Sequence, residues 1–255
     1  MPIQKKKSLG QHFLRGRGHV QAVVDAAEVT NTDLVLEIGP GEGVLTEELL
    51  ARGARVVAVE KDRRLIPLLQ EKFAGKNFEV HEADALEFAL PEEFETGRWK
   101  LVANIPYYIT GALLKKFLSG ENQPSLLVFL IQKEVAQRIA RDKKESILSL
   151  SIKAYGEPRY VKTVPAGAFV PPPNVDSAIL AIKNISRNNF KNKNQEEKFF
   201  NLLHAGFGSK RKLLASNLKP LLGETSAELL EKAGIPLKAR AEDVPLEGWL
   251  ALTNY

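Results

Sequence analysis

Short apolar runs alternate along the first half of the chain with stretches in which apolar residues recur at helical spacing. The runs predict buried strands at residues 34–38, 55–59, 78–81, 100–103 and 126–131. The stretches between them predict helices at residues 20–27, 43–51, 65–73 and 111–118. Strands that alternate with helices are typical of βαβ units, so this half of the chain predicts a mainly parallel sheet covered by helices.

The pattern changes in the second half. Residues 146–154 fit a helix and a strand equally well. Residues 159–164 and 177–182 predict two strands on either side of Pro171-Pro172-Pro173, a stretch that cannot lie inside a strand or a helix. Such a pair can close the sheet with an antiparallel strand.

The last part of the chain predicts helices only. Residues 184–195 are polar, rich in asparagine and without periodicity, and they predict a linker. Helical patterns recur at residues 199–205, 213–218, 227–233 and 246–252. We therefore expect a larger α/β domain at residues 1–185 and a small helical domain at residues 186–255.

The composition allows one sizeable core and excludes several kinds of site. The chain has 255 residues, 44% of them hydrophobic. It contains no cysteine, which excludes disulfides and cysteine-ligated metals. Its four histidines are scattered, so we expect no metal site, with Mg²⁺ bound by carboxylates alone as the alternative. No apolar run is long enough to span a membrane and no secretory signal follows the basic N-terminus, so we expect a cytoplasmic protein.

The net charge of +5 is concentrated at the two ends of the chain. Residues 183–219 contain nine lysines and arginines against two glutamates. Residues 1–19 contain no acidic residue and five basic ones: Lys5, Lys6, Lys7, Arg15 and Arg17. Basic ends around a balanced centre favour a nucleic-acid partner, with ordinary surface charge as the alternative.

A glycine-rich segment, Glu-Ile-Gly-Pro-Gly-Glu-Gly at residues 37–43, joins the first predicted strand to a helix. Glycines there let the backbone turn sharply and approach a ligand. A dinucleotide-binding loop is one alternative, but the glycines fall at positions 39, 41 and 43, and Val44 occupies the position of a further dinucleotide glycine. The acidic Glu37 favours a methyltransferase; a tight turn without a ligand is the other alternative.

Acidic residues follow the next two predicted strands. Glu60 can accept both ribose hydroxyls of an adenosine-containing cofactor. Asp84 can accept a hydrogen bond from the adenine amine, although a helix cap or turn role explains it equally well when it is taken alone. The glycine segment, Glu60 and Asp84 stand at successive strand ends and together predict S-adenosylmethionine, which lacks the pyrophosphate that a dinucleotide loop binds.

The segment Asn104-Ile105-Pro106-Tyr107 follows the fourth predicted strand and predicts a clamp for an adenine. The adenine amine is a poor nucleophile because its lone pair is delocalised into the ring. The Asn104 side-chain oxygen and a neighbouring backbone carbonyl can accept its two hydrogens and direct the lone pair. Asn104 is neutral and cannot act as a base, while Tyr107 can stack on a flipped base. A surface turn is the alternative.

These motifs resemble those of the bacterial ribosomal RNA adenine dimethylases. The resemblance covers nearly the whole chain. The residues that carry it are KKSLGQHFL at residues 6–14, the glycine segment, Glu60, Asp84, the clamp, FVPPPNVDS at residues 169–177 and GFGSKRK at residues 206–212. The chain departs from the family at His12, where asparagine is usual, and at Ala83, where glycine is frequent.

The resemblance implies a Rossmann-like α/β fold: a seven-stranded class I methyltransferase sheet with a small all-helical C-terminal domain. The cofactor-binding set that it implies is Gln11, His12, Leu14, Glu37, Gly39, Gly41, Glu60, Lys61, Asp84, Ala85 and Asn104, with Gln11 at the methionine part. The catalytic set is Asn104, Ile105, Pro106, Tyr107 and Phe169, with Phe169 stacked on the target base opposite Tyr107. The RNA-binding set is Lys5, Lys6, Lys7, Lys210, Arg211 and Lys212. Without the resemblance, Phe169 fits a buried anchor, and residues 210–212 fit a solvated helix face.

The resemblance also implies the reaction. This is S-adenosylmethionine-dependent dimethylation of the N6 amines of two adjacent adenosines, in a hairpin near the 3′ end of 16S small-subunit ribosomal RNA. The partner is then the assembling small ribosomal subunit, and we expect a monomer without membrane contact. The alternatives are a related antibiotic-resistance methylase of large-subunit RNA, an RNA-binding assembly factor without catalysis, and a nicotinamide oxidoreductase.

Overall fold

The chain folds into two compact units. A computed structural model describes residues 12–96 and 98–255. The first unit extends to Ala136 and includes Pro158–Ile185, and the second comprises Gln137–Glu157 and Ser186–Tyr255. No helix of the described residues is long and apolar enough to cross a membrane.

A seven-stranded sheet forms the centre of the first unit, in the order β4-β3-β2-β5-β6-β9-β7. The strands of the chain are β1 (Phe13–Leu14), β2 (Leu34–Ile38), β3 (Arg55–Glu60), β4 (Phe78–Glu82), β5 (Trp99–Asn104), β6 (Leu126–Gln132), β7 (Glu157–Val164), β8 (Phe169–Val170) and β9 (Ser177–Lys183). Strands β2 to β6 pair in parallel, and β9 runs antiparallel to β6. The predicted α/β sheet and its closure by an antiparallel strand are confirmed.

Helices cover the sheet and explain why its strands have continuous apolar sequences. The helices that begin in the first unit are α1 (Arg17–Ala26), α2 (Val44–Ala51), α3 (Ile66–Lys72), α4 (Thr110–Ser119) and α5 (Lys133–Ala140). Val23 and Val24 of α1 are completely buried in one core with Val35, Val56 and Val128 of the strands. Parallel strands that are buried on both faces need apolar side chains at every position.

The second unit is helical. It contains α6 (Ile147–Lys153), α7 (Lys193–Gly206), α8 (Leu214–Leu222), α9 (Ser226–Lys232) and α10 (Leu246–Leu252). Trp249 of α10 is completely buried, and its ring lies against α7, where a Cβ on Gly206 would come within 2.3 Å of it. Only glycine leaves room there for the indole ring. The predicted helical C-terminal region is confirmed.

The linker predicted at residues 184–195 is wrong in its second half. Phe190 is buried, with its ring 5.7 Å from that of Tyr155 in an edge-to-face contact. The side chain of Asn192 then accepts a hydrogen bond from the backbone N–H of Gln195 at 3.0 Å and caps α7. This polar stretch therefore contains a buried aromatic residue, Phe190, and the N-terminal cap of a helix. Helix α7 begins at Lys193, before the apolar periodicity that predicted a helix at residues 199–205.

Residues 137–157 belong to the second unit, whereas the predicted boundary assigns them to the first domain. The backbone N–H of Glu145 donates to the carbonyl oxygen of Glu242 at 2.8 Å. The ambiguous stretch after it is helix α6, because the hydroxyl of Ser146 accepts from the backbone N–H of Ser149 at 3.1 Å and caps the first turn. The bond between Glu145 and Glu242 joins residues far apart in the chain, so the local sequence pattern could not predict it.

Candidate active site

The glycine segment forms a left-handed turn between β2 and α2. Gly39, Gly41 and Gly43 have φ angles of 68°, 59° and 77°, a region that favours glycine. A Cβ on Gly41 would also lie 2.7 Å from the ring of Phe13. Glycine is therefore required at Gly41 both for its backbone angle and for the close approach of Phe13.

Glu60 ends β3 and holds this turn. Its side chain is buried, and its two oxygens accept hydrogen bonds from the backbone N–H groups of Gly41, at 3.1 Å, and Asp62, at 2.8 Å. Burial raises the pKa of Glu60, against the opposing effect of these bonds. A carboxylate oxygen can accept more than one hydrogen bond, so Glu60 retains acceptor capacity for a ligand.

Glu37 lies behind the glycine turn rather than on a cavity wall. Its side chain is 1% exposed, and one oxygen accepts a hydrogen bond from the Thr46 hydroxyl at 2.6 Å. Its other oxygen, Oε1, has no hydrogen-bond partner in the part of the chain that the structure describes. Burial raises the pKa of Glu37 to about 7, and the Glu60 carboxylate acts in the same direction. The carboxyl therefore links β2 to α2 at a high desolvation cost.

Asp84 follows β4 and carries an ion pair. It accepts hydrogen bonds from the Lys61 ammonium at 2.6 Å and from the backbone N–H of Leu86 at 2.9 Å. The bond to Lys61 is the main reason why the pKa of Asp84 is lowered. Asp84 is therefore an ionised acceptor.

The predicted clamp begins where β5 ends. The Asn104 amide nitrogen donates to the backbone carbonyl of His12 at 3.0 Å, which leaves the side-chain oxygen to accept from an amine. Tyr107 begins a short 3₁₀ turn, and its hydroxyl lies 2.7 Å from that of Ser177. The rings of Tyr107 and His12 face each other, with centroids 6.2 Å apart and planes 20° apart. Both polar groups of the clamp are thus fixed by partners from distant parts of the chain.

One cavity of about 250 Å³ brings most of the predicted residues together. The predicted residues on its wall are His12, Leu14, Gly39, Gly41, Glu60, Lys61, Asp84, Ala85, Asn104, Ile105, Pro106 and Tyr107. Glu37 and Phe169 do not line it. Gln11, Lys5, Lys6 and Lys7 lie outside the described residues.

The charges on the cavity wall favour a cationic ligand over a pyrophosphate. The wall carries three carboxylates, those of Glu42, Glu60 and Asp84. Glu42 pairs with Arg15 at 2.7 Å and Asp84 with Lys61 at 2.6 Å. Lys61 is the only lysine or arginine on the wall among the described residues, and it already pairs with Asp84. A pyrophosphate would find no free cation there, whereas a sulfonium or an ammonium meets the Glu60 carboxyl, whose two hydrogen bonds come from backbone N–H groups. The acceptors at two strand ends and the glycine turn therefore fit S-adenosylmethionine.

Phe169 is buried in the core of the first unit. It is 2% exposed and belongs to the same core as Leu14 and Ile179. Its strand β8 pairs antiparallel with β1, and Phe169 lies opposite Leu14, which does line the cavity. The structure thus brings Phe169 next to the wall but not onto it, and its stacking role stays a prediction.

The basic triplet Lys210, Arg211 and Lys212 lies in the turn between α7 and α8, not on a helix face. All three side chains are exposed, and none forms an ion pair within the described part of the chain. The Asn217 side-chain amide holds the turn by donating to the carbonyl oxygens of Gly206, at 2.6 Å, and Ser209, at 2.9 Å. The turn presents three unpaired cations on a fixed backbone.

Sequence reasoning missed several residues of the site. Phe13 and Tyr108 line the cavity, and Tyr108 is 70% exposed although it is a large aromatic residue. The second of two tyrosines after a strand was the available signal for Tyr108. Ser177, the partner of Tyr107, ends the resembling segment at residues 169–177, but nothing in the sequence pairs the two. In the described residues, no group of acidic or histidine side chains could hold a metal ion.

Comparison with known proteins gives consistent matches. The family model described as ribosomal RNA adenine dimethylase matches residues 3–255. A protein of Dehalococcoides mccartyi named ribosomal RNA small subunit methyltransferase A is 45% identical, over 98% of this chain and 88% of that protein. One of the same name from Fusobacterium nucleatum is 35% identical, over 99% and 97%.

Two solved structures extend the comparison to the fold. The 23S rRNA methyltransferase ErmE is 31% identical and superposes with a TM-score of 0.79, over 95% of this chain and 98% of that one. A dimethyladenosine transferase from Plasmodium falciparum is 27% identical, with a TM-score of 0.81 over 94% and 96%. Both cover the sheet and the helical region.

Proposed function

The chain belongs to the ribosomal RNA adenine dimethylase family, and from this premise we propose its substrate and cofactor. The enzyme dimethylates the N6 amines of two adjacent adenosines in a hairpin near the 3′ end of 16S ribosomal RNA, with S-adenosylmethionine as methyl donor, on an assembling small subunit. The observation that carries the proposal is the single cavity shared by Asn104, Tyr107, Glu60 and Asp84. The name of the 45% identical relative supports the small subunit as substrate.

Residues at three strand ends would hold the cofactor. Glu60 accepts hydrogen bonds from the ribose hydroxyls, and Asp84 accepts one from the adenine amine. At Gly39 and Gly41 the absence of a Cβ lets the backbone approach the ligand closely. The cofactor supplies an electrophilic methyl group on a sulfonium. Because a sulfonium is cationic, the carboxylates of the wall stabilise its binding.

The clamp orients the amine that receives the methyl group. The side-chain oxygen of Asn104 is left free for this role, because the amide nitrogen is committed to the His12 carbonyl. It accepts one hydrogen of the amine and stabilises the positive charge that develops on the nitrogen during attack. Asn104 is neutral and takes no proton, so the proton passes from the methylated nitrogen to solvent once the methyl group has been transferred.

Tyr107 supports the flipped base. Its hydroxyl bond to Ser177 fixes the ring, and base stacking on an aromatic ring contributes about 1–3 kcal/mol. That roughly offsets the few kcal/mol needed to unstack the base. Two adenosines with two methyl groups each require repeated transfers through the same clamp, so the site must accept an amine that already carries one methyl group.

The exposed basic turn at residues 210–212 would contact the phosphate backbone of the RNA. The second unit is then the RNA-binding domain, and the enzyme acts as a monomer. The basic residues Lys5, Lys6 and Lys7 are proposed to act in the same way at the other end of the chain.

Subunit specificity is the decisive test. The protein and labelled S-adenosylmethionine are incubated in two separate reactions, one with unmethylated small subunits and one with unmethylated large subunits. The modified nucleotides are then mapped. We expect two adjacent dimethyladenosines near the 3′ end of the small-subunit RNA. Methylation confined to the large subunit, whose 23S rRNA gives the ErmE methyltransferase its name, would refute the proposal.

The clamp is tested with Asn104→Ala. Loss of the acceptor is expected to lower the methylation rate by about 100-fold or more, while cofactor affinity stays close to that of the wild type. Asn104→Asp keeps an acceptor oxygen but loses the amide donor to the His12 carbonyl, so its loss of activity measures the contribution of that anchoring bond. Calorimetric binding of S-adenosylhomocysteine and single-turnover methylation measure the two effects. Turnover by Asn104→Ala at the wild-type rate would exclude the clamp role.

A further inference from the structure

Lys116 is a partly buried lysine whose ammonium group has three backbone partners. It lies on α4, the helix that follows the clamp. Its Nζ donates to the carbonyl oxygens of Ala85 at 2.9 Å, Leu86 at 3.1 Å and Phe88 at 2.6 Å. A lysine ammonium has three donors, so all three are used by one short segment of chain.

That segment, residues 84–88, begins on the cavity wall with Asp84 and turns away from the wall at its end. Asp84 organises it from the inside: its carboxylate accepts from the backbone N–H of Leu86 at 2.9 Å, and its carbonyl oxygen accepts from the N–H groups of Glu87 and Phe88. Asp84, Ala85 and Leu86 all line the cavity. Asp84 thus accepts the hydrogen bonds of the backbone N–H groups in this turn, and Lys116 donates to the backbone carbonyl oxygens of the same turn.

No other side chain of the described residues bonds to these three carbonyl oxygens. Burial lowers the pKa of Lys116, and the Asp84 carboxylate opposes this effect. Removal of this partly buried ammonium group leaves the three carbonyl oxygens without their side-chain donor. The turn would then relax, although Asp84 and Lys61 are unchanged.

We propose that Lys116 is a positioning residue for the cofactor. It fixes the turn at residues 84–88, so that Asp84 and Ala85 keep the adenine end of the cavity in its binding shape. This inference rests on the proposed function, in which Asp84 receives the adenine of S-adenosylmethionine.

The test compares Lys116→Met with Lys115→Met. Lys115 is the neighbouring residue on α4 and is exposed, so it controls for the loss of one positive charge. Binding of S-adenosylhomocysteine is measured by calorimetry, and the methylation of unmodified small subunits gives KM for the cofactor and kcat. We expect Lys116→Met to raise Kd and KM by about tenfold and to leave kcat at saturating cofactor within about twofold. Lys115→Met should match the wild type.

Two further variants test whether Lys116 acts through the turn at residues 84–88, with the urea-unfolding midpoint of each variant measured beside its Kd. Lys116→Arg keeps a cation with several donors and should recover part of the affinity. A double-mutant cycle with Asp84→Asn should be non-additive, because both changes act on the same turn. Additive losses, or a wild-type Kd in Lys116→Met, would overturn the proposal. If the wild-type protein itself fails to bind the cofactor, the proposed function is refuted instead.

Discussion

Glu37→Gln should make the fold more stable at neutral and alkaline pH, although it removes a buried residue of the glycine segment. Glu37 is 1% exposed, one of its oxygens has no partner in the described residues, and burial raises its pKa from an ordinary 4.5 to about 7. The folded protein therefore favours the neutral carboxyl. Glutamine has nearly the same shape, and its oxygen can still accept from the Thr46 hydroxyl.

The size of the effect follows from the pKa difference. One pKa unit corresponds to about 1.4 kcal/mol, so a rise from 4.5 to about 7 corresponds to about 3 kcal/mol at most. The folded state binds the proton more tightly than the unfolded state. The contribution of Glu37 to stability is thus fully present below pH 4.5 and is lost as the pH rises to about 7. Above that pH the difference stays constant.

The assay is urea unfolding of wild type and Glu37→Gln at a series of pH values from about 4.5 to 9. Titrating groups that do not interact with Glu37 affect both proteins equally and cancel in the difference, whereas the repulsion between Glu60 and Glu37 is part of the measured effect. We expect the variant to gain up to about 3 kcal/mol relative to the wild type across this range. Thr46→Val is the companion variant: it removes a hydrogen bond that lowers the pKa of Glu37, so the loss of stability should extend to higher pH.

A stability difference that does not change between pH 5 and pH 8 would refute the reasoning, whatever its sign. It would mean that the Glu37 carboxyl has the same proton affinity in the folded and unfolded chains, and hence that water or a cation reaches it. A constant destabilisation by glutamine would indicate instead that the carboxylate form contributes to the turn.

Two other predictions concern the nucleic acid. Tyr107→Phe keeps the ring and loses only the bond to Ser177, so kcat/KM for methylation should fall several-fold. Tyr107→Ala also loses the stacking surface, so its kcat/KM should fall about 10- to 100-fold. Equal losses in the two variants would show that base stacking does not account for the role of Tyr107. Replacement of Lys210, Arg211 and Lys212 together by alanine should reduce the slope of log affinity for small-subunit RNA against log salt by about 2 to 3, with cofactor binding unchanged. An unchanged slope in filter-binding titrations would exclude phosphate contacts by this turn.

The sequence predicted the sheet well where the strands are buried on both faces. Residues 34–38 and 126–131 are continuous apolar runs, and they became β2 and β6. Helix α5 was missed although Val135, Ala136, Ile139 and Ala140 recur at helical spacing, because the segment is only eight residues long and follows directly on the apolar run of β6. Strands β1 and β8 were missed because two residues cannot show a period at all.

The identities of the site residues were predictable, but their mutual contacts were not. Glu60, Asp84 and Asn104 stand at the ends of parallel strands, and this topology alone brings them to one edge of the sheet. The bond from Asn104 to His12 spans 92 residues, and the bond from Tyr107 to Ser177 spans 70. Such contacts depend on how loops return to the sheet, which local patterns do not encode.

For Phe169, the free energy needed to expose its buried ring limits the stacking role that its sequence motif implies. To stack on a target base, its ring must leave a core in which it is 2% exposed, and exposing a phenylalanine costs about 1.5–3 kcal/mol. Stacking on one base returns about 1–3 kcal/mol, so the two terms nearly cancel. Because Phe169 pairs with Leu14 across β8 and β1, its movement would also shift a residue of the cavity wall. A base held by both Tyr107 and Phe169 therefore requires RNA contacts elsewhere to drive the rearrangement, and Tyr107 alone can stack without it.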